Sequence, residues 1–137
     1  MKIKIKTSEG EAIAELNETQ TAREIYDKLP LEGSANVWGE EIYFDIPVAK
    51  SLEEPSKQEM EVGDLAYWSS ASNAGGHVCI FFGKTPASIG EKPRAVSEVT
   101  FLGNVIDFPA RPSRKEAVDL FKKVQNGERI VLTRLND

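Results

Sequence analysis

The sequence predicts a mainly β protein, a closed and mostly antiparallel barrel with two capping helices. Three observations lead there. Many short runs alternate apolar and polar residues with the two-residue period of a half-buried strand. Only two stretches, one near each end of the chain, carry the period of an amphipathic helix. Strands and helices do not alternate regularly, which disfavours a doubly wound parallel sheet. Closure into a barrel would remove the exposed sheet edges.

Lys2 to Lys6 opens the chain as a strand, with Ile3 and Ile5 on one face and Lys2, Lys4 and Lys6 on the other. A turn at Glu9-Gly10 leads into a second strand, Glu11 to Leu16, in which Ala12, Ala14 and Leu16 lie opposite Glu11, Ile13 and Glu15. This pair reads as a hairpin. Thr21 with Glu24 three residues later forms a capping box, so a helix is expected to start there. Ala22, Ile25, Tyr26 and Leu29 share one face of it, and Pro30 stops it.

Gly33 to Gly39 reads as loop and Glu40 to Pro47 as strand. Val48 to Glu61 is acidic and holds Pro55, so it is expected to be an exposed excursion with at most a short strand. Leu65 to Trp68, a polar loop from Ser69 to Gly76, and His77 to Gly83 form a strand–loop–strand unit. Ala87 to Ser97 reads as loop and Val99 to Ile106 as strand. Ser113 with Glu116 repeats the capping-box signal; Ala117, Leu120, Phe121 and Val124 then share a helix face, and Asn126-Gly127 ends it. Arg129 to Leu135 is a last strand, placed to pair with the first.

The chain of 137 residues is expected to be one domain, 1–137, long enough to bury a sizeable core. No apolar run approaches the roughly 20 residues that span a bilayer. The alternating Met1-Lys2-Ile3-Lys4-Ile5-Lys6 lacks the continuous apolar core of a signal peptide. The single cysteine, Cys79, excludes an internal disulfide and fits a reducing compartment, so a cytoplasmic location is expected. A net charge of −5 argues against general binding to a phosphate backbone, and neither nucleic acid nor membrane is an expected partner.

Residues with chemical potential are few. Gly83-Lys84-Thr85 resembles the end of a phosphate-binding loop, but that motif needs a glycine where Val78 stands. His77 has no acidic partner near it in sequence and reads as a strand-end residue. Cys79, between Val78 and Ile80, reads as a buried, inert thiol. Glu41 and Asp45 share a strand face about 13 Å apart, too far to act as a carboxylate pair, and the acids read as solvated. One His and one Cys make a zinc site improbable, and no cofactor or metal is expected. Arg111, Arg114, Lys115, Lys122 and Lys123 read as the solvated side of the second helix, with a docking face for an acidic partner as the alternative.

The aromatic residues say more. Neighbours on a barrel strand point to opposite sides, so Tyr67 and Trp68 cannot both be core, nor can Phe81 and Phe82. Some large apolar surface must therefore face outward, and an outer aromatic groove is a sign of binding.

Three phrases in order, Trp38-Gly39-Glu40-Glu41-Ile42-Tyr43-Phe44, Gly63-Asp64-Leu65-Ala66-Tyr67-Trp68 and Cys79-Ile80-Phe81-Phe82-Gly83-Lys84-Thr85-Pro86, resemble an uncharacterised family of small prokaryotic cyclophilin-like proteins. The resemblance covers nearly the whole chain. It implies an eight-stranded cyclophilin-like barrel with a helix at each end. True cyclophilins use an arginine that donates to the prolyl nitrogen beside an apolar proline pocket. Laid over that pattern, the arginine's position falls near Tyr43, Phe44 or Asp45, the glutamine's at Val78, the pocket phenylalanine's at Ile80 and the rim histidine's near Glu98. Trp68 falls where true cyclophilins have a small residue. The resemblance thus implies the fold without the isomerase's donor. The expected function is binding of a peptide or small apolar ligand in an outer groove, with Tyr43, Asp45, Trp68, Ser69, Val78, Ile80 and Glu98 as its candidate residues and none of them catalytic. The alternative is a divergent peptidyl-prolyl isomerase with Arg94 or Arg111 entering from a loop.

Overall fold

The computed structural model describes residues 1–70 and 75–135. Strands β1 (Lys2–Thr7) and β2 (Gly10–Leu16) form the expected hairpin, with Ile3 opposite Ala14 and Ile5 opposite Ala12. The last strand, β10 (Arg129–Arg134), pairs antiparallel with the first, Ile5 opposite Leu132. Between them lie α1 (Gln20–Lys28), β3 (Leu31–Ser34), β4 (Asn36–Trp38), β5 (Glu41–Ile46), β6 (Ser56–Glu59), β7 (Asp64–Ser69), β8 (Gly76–Phe81), β9 (Arg94–Val105) and α2 (Arg114–Phe121).

All pairings are antiparallel, and the hydrogen-bonded order is β3-β10-β1-β2-β9-β7-β8-β5-β4, with β6 attached to β9. The two ends of that order, β3 and β4, are separated in the chain by Ala35 alone. The run 31–38 is therefore one bent strand that bonds β10 with its first half and β5 with its second, which makes the barrel nearly closed. A Cβ on Gly33 would stand 2.7 Å from Phe44 Cδ2, so β3 packs directly against β5 across the seam. Nine strands lie along the path; with β3 and β4 taken as one, the wall has the expected eight, and β6 is an addition.

The interior is filled from every wall by Ile3, Ile5, Leu16, Ile42, Phe44, Leu65, Tyr67, Val78, Ile80, Leu102 and Leu132, all nearly or fully buried. The helices sit at opposite ends. Helix α1 lies by the open ends of β5 and β10, where Lys28 Nζ donates to Pro47 O at 3.1 Å and Arg134 Nε to Tyr26 O at 3.1 Å. Helix α2 lies over the β1–β2 turn, with Leu120 against Gly10 and the Phe121 ring 6.2 Å from that of Phe82. Among the described residues no helix is long and apolar enough to cross a membrane.

Three local expectations are corrected, and a fourth is sharpened. Helix α1 is capped by Thr19, whose hydroxyl accepts from Ala22 N at 3.1 Å, and not by Thr21. Thr21 lies inside the helix, fully buried, and its hydroxyl donates to Glu53 Oε1 at 2.7 Å. Glu53 also accepts the free amides of Gln20 and Thr21 at 2.8 and 3.0 Å, the satisfaction a helix start requires. The 48–61 stretch is mostly exposed or half-buried and carries one short strand, β6, as expected, but it is anchored at both ends. Val48 and Met60 are fully buried, and the Tyr67 hydroxyl, reaching out of the barrel end, donates to Val48 O at 2.5 Å and accepts from Lys50 N at 3.0 Å. The supposed loop 33–39 holds the seam strands, and β9 begins at Arg94, inside the supposed loop 87–97. The capping box of Ser113 and Glu116 is present in full.

Candidate outer-wall binding site

The two-residue period divides β5, β7 and β8 cleanly. Ile42, Phe44, Leu65, Tyr67, Val78 and Ile80 enter the barrel core, while Ala66, Cys79 and Phe81 belong to a second cluster on the outer wall with Met60, Ala95 and Val99, flanked by Tyr43, Trp68 and Phe101. The register builds rows across this wall. Asp45, His77 and Trp68 form one row; Tyr43, Cys79, Ala66 and Phe101 form the next. Cys79 and Ala66 are small, so the larger side chains around them stand above a hollow. That hollow, about 190 Å³, is lined by Trp38, Glu41, Tyr43, Trp68, Cys79, Ala95, Val96 and Val99.

Its walls are held in place by aromatic contacts. The rings of Tyr43 and Trp68 meet edge to face, centroids 6.1 Å apart at 83°. His77 leans on Trp68 from the far side at 4.8 Å and 33°. At the seam, Gly39 lets Trp38 turn toward the wall: its φ is +59°, and a Cβ there would meet Thr85 Cα at 2.9 Å and Lys84 O at 3.0 Å. The Gly83-Lys84-Thr85 turn thus serves this junction, with Glu40 N donating to Lys84 O at 2.8 Å.

The polar feature of the hollow is Glu41. It is only 5% exposed, and its Oε1 has no hydrogen-bond partner. Burial disfavours the charged form and pushes its pKa up to about 7, with a hydrogen bond from the Cys79 thiol offsetting part of the effect. Burial, and then the nearby Glu41 carboxyl, push the Cys79 thiol well above its ordinary range. A native buried acceptor without a partner is uncommon enough to need an explanation.

The residues expected at a groove are spread over several places. Tyr43 and Trp68 line the hollow. Asp45 is exposed, with its Oδ1 2.7 Å from His77 Nδ1, beside a separate depression with Ser70 and Gly76. Ser69 ends β7 with its hydroxyl on Lys50 O. Val78 and Ile80 point into the core, so Cys79 is the residue through which β8 reaches the hollow. Glu98 is exposed and held against Ser56. Residues 71–74 of the expected rim lie outside the described residues. Glu41, Trp38, Ala95, Val96 and Val99 were not among the expected groove residues. The signal for Glu41 was its place two residues before Tyr43 on the same strand face.

No Lys or Arg side chain lines the hollow among the described residues. Arg94 Nη2 donates to Gln58 Oε1 at 3.0 Å, and Arg111 Nη1 to Glu11 Oε1 at 2.7 Å. A larger depression of about 750 Å³ beside α2 is lined mainly by charged and polar residues, and Lys92 there pairs with Glu61 at 2.8 Å.

A nearly closed antiparallel barrel with a helix at each end and a pocketed outer wall is a cyclophilin-type barrel. The family model described as Cyclophilin-like matches residues 1–133, and the chain belongs to that family. It is similar to the solution structure of a hypothetical protein from Archaeoglobus fulgidus, at 37% identity and a TM-score of 0.76, over 98% of this chain and 95% of that one. No curated protein matches the chain.

Proposed function

We propose that this protein is a binding module whose outer-wall hollow takes one residue-sized apolar group, from a peptide or a small molecule, without catalysis. The observation that carries this reading is the hollow's lining: mainly aromatic and aliphatic walls from five strands, with no cationic side chain among the described residues. A volume of about 190 Å³ suits a single ring, since an apolar cavity of about 150 Å³ holds benzene. It is smaller than the roughly 300–1,000 Å³ of sites for larger ligands. The lone, buried Cys79 suits a reducing compartment such as the cytoplasm.

Isomerisation of a prolyl bond faces a barrier of about 18–20 kcal/mol, and lowering it calls for a donor aimed at the prolyl nitrogen. Arg94 and Arg111, the candidates for that donor, are engaged elsewhere. Titration with proline-containing peptides and small apolar compounds, followed by the NMR signals of the Trp38 and Trp68 indoles, should give saturable shifts of both. Indoles unmoved by every compound would overturn the reading. A prolyl-isomerisation assay with protein equimolar to substrate should show no acceleration; acceleration that Trp68→Ala removes would reinstate the isomerase.

A further inference from the structure

A hollow that only gripped an apolar group would have no use for a carboxyl at its floor. Glu41 carries one there, 5% exposed, its Oε1 bonded to nothing in the protein. Around it stand Trp38, Tyr43 and Trp68. Aromatic faces carry negative potential and attract a desolvated cation placed over them. A carboxylate adds a full opposite charge where water is excluded.

We propose that the outer-wall hollow is an aromatic cage for an organic cation, an alkylated ammonium group, with Glu41 as the counter-ion at its floor. This rests on the binding reading and names the chemistry of its ligand. The cation's methyl groups fill the apolar walls, and its charge is balanced by the buried Glu41 carboxylate. Before a cation binds, burial holds the carboxyl near neutral, with a pKa of about 7. Ligand binding converts it to carboxylate by releasing its proton. Among the described residues, the other titratable groups lining the hollow are Tyr43 and the Cys79 thiol, and the latter is pushed away from ionisation. His77 lies behind Trp68 and Tyr43, 4.8 and 5.9 Å from their rings. The cation could be carried by a small molecule or by a methylated lysine, which offer the same head group.

The test compares choline with 3,3-dimethylbutan-1-ol, in which a carbon replaces the charged nitrogen, using the Trp38 and Trp68 indole signals to obtain each Kd at pH 8. Choline should bind at least about tenfold more tightly than its neutral isostere. Lowering the pH from 8 to 6 should weaken choline several-fold and leave the isostere unchanged, also in His77→Gln. Glu41→Gln should reduce the preference for choline to about twofold or less, and dispersed indole signals would show that the variant is folded. A peptide carrying trimethyl-lysine forms a further arm: binding tighter than choline's supports the cage with a protein-borne cation, and binding no tighter supports it with a free one. Equal binding of choline and the isostere by the wild-type protein overturns the cage and leaves the apolar-binding reading standing. Binding of none of these compounds overturns the cage, and the indoles' response to the wider apolar panel then decides the binding reading separately.

Discussion

Glu41 couples the outer wall to folding through its proton. A carboxyl whose ordinary pKa is 4.5 is raised to about 7 in the folded chain, so the native state binds a proton that the unfolded chain has already lost at intermediate pH. Stability therefore falls as pH rises from about 4.5 to about 7 and is flat, for this group, above that. At about 1.4 kcal/mol per tenfold change in proton affinity, the loss is on the order of 3 kcal/mol. Glu41→Gln should remove this dependence: in urea unfolding the variant should exceed the wild type by up to about that amount at pH 8 and match it near pH 5. Parallel curves for the two proteins across that range would contradict the assignment. From the sequence Glu41 reads as a solvated acid, because Asp45, on its own strand face, lies too far away to pair with it. What buries it is the neighbouring β8, which brings Phe81 opposite Glu41 and Cys79 opposite Tyr43, and that register is set by pairing between distant segments.

At the scale of elements, the two helix starts show which local signals can be trusted. Ser113 accepts from Glu116 N at 3.1 Å while Glu116 Oε1 accepts from Ser113 N at 3.0 Å, a motif complete within four residues. Ser113→Ala should cost about 1 kcal/mol, readable as a lowered midpoint in chemical denaturation. The same pattern at Thr21 and Glu24 misleads. Glu53, far along the chain, takes the free amides there, and Glu24 turns instead to Lys28 and Lys50, each at 3.6 Å. A capping box is legible when its partners are its own neighbours, and illegible when a remote carboxylate displaces one of them. The strands follow the same rule. Those with clear alternation, β1, β2, β5 and β10, stand within a residue or two of their expected places. The weakly patterned β3 and β4 were hidden because their partners, rather than their own sequences, make them strands.

For the whole molecule the decisive element is the bent run 31–38, which joins the two ends of the strand order. Gly33 allows β3 to approach Phe44, with a Cβ there 2.7 to 3.1 Å from three Phe44 side-chain atoms. Gly33→Val must displace that buried ring, and overpacking of this kind costs about 1–3 kcal/mol. Its melting temperature should fall, and amide exchange should quicken in β4 and β5 before it does in β1 and β2. Uniform quickening across the sheet would show that the seam is not a separate weak point. Barrel class was readable from the many alternating strands and from two helices that do not alternate with them. The seam was not, because a glycine within a supposed loop gives no sign of the ring it touches.

The pairing of the first strand with the last has a mechanical consequence. Leu135 N donates to Lys2 O at 3.1 Å, and the register then runs from Ile3 with Arg134 to Lys6 with Val131. Antiparallel ladder bonds lie perpendicular to the strands, so tension applied through residues 2 and 135 loads them one at a time, like a zipper opened from its end. Tension applied through Thr7 and Arg134 instead loads the whole ladder lengthwise, as shear. In a single-molecule pulling experiment the first geometry should yield at a distinctly lower force than the second.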